Sequence, residues 1–340
     1  MTTRLLSLIA ALGVAVLVAA FAFAYEARAQ QQSPTQVNPS ESVQTEQQLL
    51  DELRRIQGLG SIPDVKSYVI EQPAGRTWQT FHQVYLRLVG GVAIIGIFSL
   101  LFIFYLWRGT LRFGARAGRM MLRFTTFERF VHWMTATCFV VLAISGLNIT
   151  FGRPLLLPLI GPEAFSTWSQ WAKYAHNYLS SPFSIGVILM FLRWVANNLP
   201  TRADVEWIKQ GGGMFGGEEP PAYKFNAGEK FIFWVVVIGG SAVMVTGYVL
   251  LFPFYGPGIA GMQAAQVVHS VVGVLYIAAM LVHIYMGTLG MEGALEGMWR
   301  GKVDVNWARS HHLLWYKEEV GGKAVGRSQA PLDAKAIKTG

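Results

Sequence analysis

Cysteine occurs once in 340 residues, as Cys138, and only 14% of the residues carry a charge. One cysteine excludes an internal disulfide, a four-cysteine iron–sulfur cluster and C-x-x-C-H haem attachment. Inside an apolar run, Cys138 reads as a small buried apolar residue. Scarce charge, 52% hydrophobic residues and a mean hydropathy of +0.36 exclude an ordinary soluble domain and place the chain among integral membrane proteins. The formal net charge of +8 would point to nucleic acid only if the basic residues formed a patch on a soluble domain. The densest basic cluster, "WRGTLRFGARAGRMMLRFTTFERF", lies between two apolar runs instead, where it suits the cytoplasmic flank of membrane spans.

What is present falls into six stretches. Residues 1–29 carry Arg4, a long apolar core and "ARA", the pattern of a signal peptide cleaved after Ala29; an uncleaved anchor is the alternative. Residues 30–83 are polar and read as a periplasmic arm: a Gln-rich start, a short amphipathic helix in "SESVQTEQQLLDELRRIQG", then extended, turn-rich chain. An additional membrane helix is expected at 84–107 and a basic cytoplasmic loop at 108–129. Residues 130–290 hold four more apolar runs, about Phe130–Phe151, Trp171–Val195, Phe231–Phe254 and Ala264–Leu289, each near the ~20 residues a helix needs to cross a bilayer. Residues 291–340 form a basic tail. The expected fold is therefore all-α and integral to a bacterial inner membrane: a four-helix transmembrane bundle plus one additional N-terminal transmembrane helix. The export signal and the basic loop independently place the arm in the periplasm and the C-terminus in the cytoplasm.

The spans contain no Asp or Glu, which argues against a proton relay, but they do contain histidine. Singly, His132, His176, His269 and His283 each also fit a polar residue reaching the interface. As a set they do more. His269 and His283 are fourteen residues apart, about 21 Å of helical rise and within about 40° of one face. One helix thus presents a ligand near each membrane surface, and depth pairs His132 with His283 and His176 with His269. A structural zinc site would gather four ligands at one depth. Two imidazoles from facing helices suit a haem iron, so two bis-histidine b haems, stacked at ~20 Å, is the economical reading. Arg129, Lys173 and Arg193 lie near the span ends, where they could pair with haem propionates or simply reach the interface. His82, in "WQTFHQVY", suits an interfacial or partner-contacting role, and His311 and His312 read as surface residues.

The segments "FERFVHW", "KFNAGEKFIFW", "HSVVGVLYIAAMLVHIYM" and "HHLLWYKE", in that order, resemble the cytochrome b (gamma) subunit of membrane-bound respiratory formate dehydrogenase. The resemblance covers about Arg123 to Glu319; the histidine pair alone is shared with cytochrome b subunits of membrane-bound hydrogenases. The arm and first span resemble the longer form of this family. The resemblance implies a membrane anchor for a periplasmic iron–sulfur (beta) subunit and a molybdenum- or tungsten-dependent formate-oxidising (alpha) subunit. Electrons would pass to the haem of His176 and His269, then to that of His132 and His283, and reduce a quinone of the membrane pool on the cytoplasmic side. It further implies a quinone site beside His283 at an Asn-x-Gly-Gln stretch. Here that stretch is Asn226, Ala227, Gly228, Glu229, so a carboxylic acid stands where Gln is usual and could also deliver protons. Alternatively, "NAGEK" is only an Asn turn and helix start.

Overall fold

A computed structural model describes residues 74–214, 220–253 and 258–328, with side chains to residue 321. The expected signal peptide, the amphipathic helix and most of the extended chain lie outside the described residues; the end of the arm, expected to be extended through Trp78, is helical from Gly75.

The sequence signals for helix starts are realised as capping boxes. At Thr125 the side chain accepts from the Glu128 amide while the Glu128 carboxylate accepts from the Thr125 amide. Asn226 with Glu229 and Thr201 with Asp204 repeat the arrangement. The helices so begun, or begun by Pro and Gly, are α1 (Gly75–Arg108), α2 (Thr126–Leu155), α3 (Pro162–Trp194), α4 (Arg202–Lys209), α5 (Ala227–Leu251) and α6 (Gly258–Tyr285). All but α4 are long and apolar enough to cross a membrane, and this is a multi-pass membrane protein. Helix α1 begins nine residues before the expected Val84 because Gly75–Thr80 and a π-helical stretch, Phe81–Tyr85, continue it upward.

Helix α2 packs along α3, α3 along α5 and α5 along α6, while α1 lies outside the four against α6. Gly186 of α3 admits the close approach of α2, since a Cβ there would overlap the Thr135 hydroxyl. Cys138, Phe183, Val187, Tyr276 and Met280 form an apolar layer at mid-bundle, and Cys138 is buried there as expected. Outward side chains such as Phe98, Ile103, Leu192, Phe231 and Ile238 are exposed. In a bilayer their contacts are lipid, which is as apolar as they are.

At one end the loop before α2 and the segments after α6 build a small platform. Strand β1 (Met120–Leu122) pairs antiparallel with β2 (Lys302–Asp304), and Leu111 bridges to Met291. Helices α7 (Ala294–Arg300), α8 (Val305–His311) and α9 (Leu313–Ser328) complete it. Its core is Phe113, Met121, Val303, Trp307, Ala308 and Trp315. Here the expectation for His311 and His312 is corrected: both are buried, at 4% and 1% exposure. Their rings pack on Trp307 at 5.0 and 5.2 Å, and His312 Nδ1–H donates to Tyr223 O at 2.7 Å. Two adjacent polar residues in a basic tail carry no periodicity to reveal burial. The aromatic residues at 307 and 315 that receive them were the available signal.

Candidate functional site

The four span histidines meet in two pairs. His132 of α2 faces His283 of α6 at the platform end, with ring centroids 6.2 Å apart. His176 of α3 faces His269 of α6 at the far end, with centroids 6.1 Å apart. A metal about 2 Å in line from each of two imidazole nitrogens separates the ring centroids by roughly 6 Å. Both pairs therefore have the spacing of two imidazoles that can share one metal between them. Neither is close enough for a direct hydrogen bond to explain it. Among the described residues no three His, Cys, Asp or Glu converge on a common point, so each pair could supply two ligands to a metal whose remaining ligands came with a bound group.

The far-end pair is further organised. Ser145 donates to Val141 O at 2.8 Å, a helix back-bond, so its oxygen is left to accept from His176 Nδ1 at 2.8 Å. Thr246 does the same: its hydroxyl donates to Ala242 O at 2.7 Å and lies 3.0 Å from His269 Nδ1. Both imidazoles are thereby assigned as Nδ1–H tautomers, with Nε2 bare for a metal. Glycine follows each hydroxyl. A Cβ at Gly146 would stand 3.5 Å from His176 Cε1, and one at Gly247 3.2 Å from His269 Cε1. These small residues leave room beside the rings, as a flat macrocycle requires. The donor set and the space fit a bis-histidine haem at this end. At the platform end the spacing fits equally, and Trp133 stands edge-on to His132 at 5.2 Å. His132 Nδ1, however, has no hydrogen-bond partner among the described residues.

The cationic candidates separate. Arg193 lies 3.3 Å from Glu128, so its charge already has a partner. Lys173 is exposed on α3. Arg129, three residues before His132, lines a cleft of about 260 Å³ with Thr126, Phe130, Trp133 and Trp299. Glu128 escaped the sequence reading. At 1% exposure, it accepts from the Trp194 indole at 2.9 Å and from Lys224 at 3.2 Å, tying α2, α3 and the stretch before α5 together. The Thr125-x-x-Glu128 spacing was its available signal.

Asn226, Gly228 and Glu229 open α5 beside the platform. Asn226 is buried and its Oδ1 accepts from the Glu229 amide at 2.9 Å. Gly228 faces the Trp207 ring, which a Cβ would meet at 3.2 Å. Glu229 Oε1 accepts from Arg123 at 2.9 Å, and His312 Nε2 lies 3.7 Å from its other oxygen. Arg123 was also missed. Its guanidinium is enclosed by Phe124, Trp307 and Trp315 at 5.2, 4.8 and 5.4 Å. Burial draws its pKa down and Glu229 opposes that shift. Glu229 thus joins the Arg123 cluster and Asn226 is tied to it through the cap, and among the described contacts none links the three residues to His283.

Residues 123–301, more than half of the chain, match the family model described as prokaryotic cytochrome b561. The cytochrome b556(Fdo) subunit of formate dehydrogenase from Escherichia coli K12 is 32% identical over 202 residues, 58% of this chain and 92% of its own length. The nitrate-inducible cytochrome b556(Fdn) subunit of the same strain is 30% identical over 206 residues, 59% of this chain and 92% of its own. The cytochrome b556 subunit of Haemophilus influenzae formate dehydrogenase is 28% identical over 209 residues, 60% of this chain and 85% of its own. All these alignments leave α1 or the tail partly outside, since they span only about three fifths of the chain.

Proposed function

We propose, from the premise that the chain belongs to the prokaryotic cytochrome b561 family as a formate dehydrogenase cytochrome b subunit, that it carries two b haems and conducts electrons across the bacterial inner membrane to quinone. The observation that carries this reading is the paired spacing of 6.1 and 6.2 Å at two depths of one bundle. His176 and His269 would be the axial ligands at the far end, and His132 and His283 those at the platform end. When bound, haem supplies a one-electron carrier at each depth.

The chain's own residues do the rest. Ser145 and Thr246 hold the far-end imidazoles in the tautomer that offers Nε2. The apolar layer around Tyr276 and Met280 excludes water between the two centres. On the expected orientation the far end is periplasmic and receives electrons from an iron–sulfur subunit, itself served by a molybdenum or tungsten formate-oxidising subunit. The platform end is then cytoplasmic. Reducing a quinone to quinol consumes two electrons and two protons, so the quinone belongs at the end where a polar entrance meets water. Asn226, Gly228 and Glu229 supply that entrance near the end of α6 that bears His283. The Asn226 amide is the donor left for a quinone carbonyl once its oxygen has capped α5. Glu229 is tied to the platform by Arg123 and borders the same entrance, where its carboxyl could also deliver protons.

Reduced-minus-oxidised spectra and a haem assay on the purified chain test this: two b haems per chain are expected, and one or none would overturn it. A reporter active only outside the cytoplasm, fused after Gly75, should work and, fused after Arg116, should fail. Asn226→Ser keeps a capping oxygen and removes the amide. It should therefore impair formate-to-quinone turnover while formate still reduces both haems.

A further inference from the structure

Arginine is unexpected at the far end of α1 and α2. Arg87 and Arg153 lie there, opposite the basic platform, and none of the described ion pairs involves either. Arg87 Nε donates to Thr150 O at 3.2 Å, which holds the guanidinium across the seam between the two helices. The like charge of Arg153 acts on Arg87, and that of Arg87 acts on His82. Beside them, one turn up α1, the rings of Trp78 and His82 pack at 4.8 Å. Trp78 Nε1 and His82 Nε2 are both buried without a hydrogen-bond partner among the described residues. His82 sits on the π-helical stretch Phe81–Tyr85, between Trp78 and Arg87, an irregularity of the kind that re-aims side chains at functional sites. Two neighbouring cations, an orphaned indole N–H and an orphaned imidazole nitrogen at one place are costly unless a negatively charged group completes them.

The same place adjoins the far-end histidine pair. Thr150, which anchors Arg87, donates to Gly146 O at 3.3 Å, and Gly146 is the residue whose Cβ would meet His176 at 3.5 Å. Arg87 is therefore about one helical turn, ~6 Å, nearer the membrane surface than the His176 ring. Gly90 of α1, three residues below Arg87, packs on Val274 of α6 and Phe151 of α2, so α1 covers the seam between α2 and α6 at this depth. A haem's two carboxylates point to the aqueous side of the macrocycle, and a guanidinium fork is the side chain best matched to them.

We propose that Arg87 and Arg153, with Trp78 and His82, form the site that receives the propionate carboxylates of the haem held by His176 and His269. This rests on the haem reading above and replaces Lys173 as the far-end partner. It also gives α1 a function: the additional helix closes the far-end haem site from outside. Arg87 is a positioning residue here, since it acts on the carboxylates and not on the iron.

The test is the midpoint potential of the far-end haem. In an otherwise unaltered His132→Ala chain only that haem remains, so its titration is read without overlap. Arg87→Gln in that background removes a cation that favours the reduced, more negative state. The reduction equilibrium should fall about tenfold, a drop of about 59 mV for a one-electron couple. Arg87→Lys should restore most of it, and Arg153→Gln, at a more exposed position, should give a smaller drop. The same substitutions in a His176→Ala chain, which keeps only the platform-end haem, should leave its potential in place. Unmoved far-end potentials in both Arg87→Gln and Arg153→Gln would overturn the proposal, as would loss of bound phospholipid in place of a potential shift, which would mark a lipid phosphate as the anion. An absence of haem from the parent chain would instead overturn the haem reading itself.

Discussion

The two histidine pairs are alike in spacing and unlike in support. At the far end each Nδ1 meets a hydroxyl on the neighbouring helix, Ser145 from α2 and Thr246 from α5. At the platform end His132 Nδ1 has no such partner among the described residues, and packing against Trp133 orients its ring instead. A hydrogen-bond acceptor on Nδ1 fixes the tautomer and makes the ligand more basic, which favours oxidised iron. In the proposed haem arrangement the hydroxyls would bias the far-end centre toward giving an electron up, against the opposite pull of Arg87, and leave the platform-end centre the readier to take it. That is the direction the proposed electron flow requires.

Breaking the pairs themselves gives the largest expected effect. His269→Ala should remove the far-end haem and leave the other, and His283→Ala should do the reverse, so each chain keeps about half its haem by quantitative spectroscopy. Loss of both haems from either folded variant would contradict independent centres. Next in size is the platform beneath the second pair. Arg123→Met keeps the bulk inside the Phe124, Trp307 and Trp315 cage but removes the charge-assisted bond to the part-exposed Glu229, a loss of about 1.5–3 kcal/mol. Hydrogen exchange along β2 and α8 should rise sharply while α1 and the far end stay protected. Uniform protection would mean that the platform is not tied to Arg123.

A milder stress on the same end is acid. Burial, then the Arg123 charge, holds His311 down to about 4, against an ordinary value of 6.5, and His312 lower than its ordinary value for the same reasons. Both are neutral in the folded platform, so the unfolded chain binds more protons as pH falls below 6.5. Their contribution to stability is complete above about pH 6.5 and is lost as pH falls toward about 4. Exchange in 305–316 should therefore accelerate over that window, and His311→Phe should flatten the dependence.

The difference between the ends also marks what the sequence could reveal. Span number, the pairing of four histidines and the capping signals at Thr125 and Asn226 follow from periodicity and spacing, which act locally along the chain. The burial of His311, His312, Arg123 and Glu128 does not, because each depends on residues about sixty-five to two hundred positions away, such as Trp194 for Glu128, Tyr223 for His312 and Trp307 for Arg123. The hydroxyls at 145 and 246 were visible as polar residues within spans, but only the facing of α2 on α3 and α5 on α6 gives them an imidazole to meet. Depth could be read from sequence; azimuth and tertiary partner could not.

The smallest effect addresses the comparison most directly. Ser145→Ala and Thr246→Val each remove the acceptor on one far-end Nδ1 and keep the helix, its apolar contacts and the other ligand. The second substitution also preserves the branched shape of the side chain. Either should weaken haem retention at the far end by about 10–100-fold and raise that centre's midpoint potential, because a less basic imidazole stabilises oxidised iron less well. The double variant should bring the far-end centre toward the behaviour of the platform-end one. The converse is a gain: a hydroxyl within reach of His132 Nδ1 should lower the platform-end potential. These shifts are read in redox titrations of chains that retain a single haem, His132→Ala for the far end. If Ser145→Ala and Thr246→Val left potential and retention unchanged there, the hydroxyls would be helix back-bonds alone, and the two ends would differ only by the arginines, which push the far-end potential up rather than down.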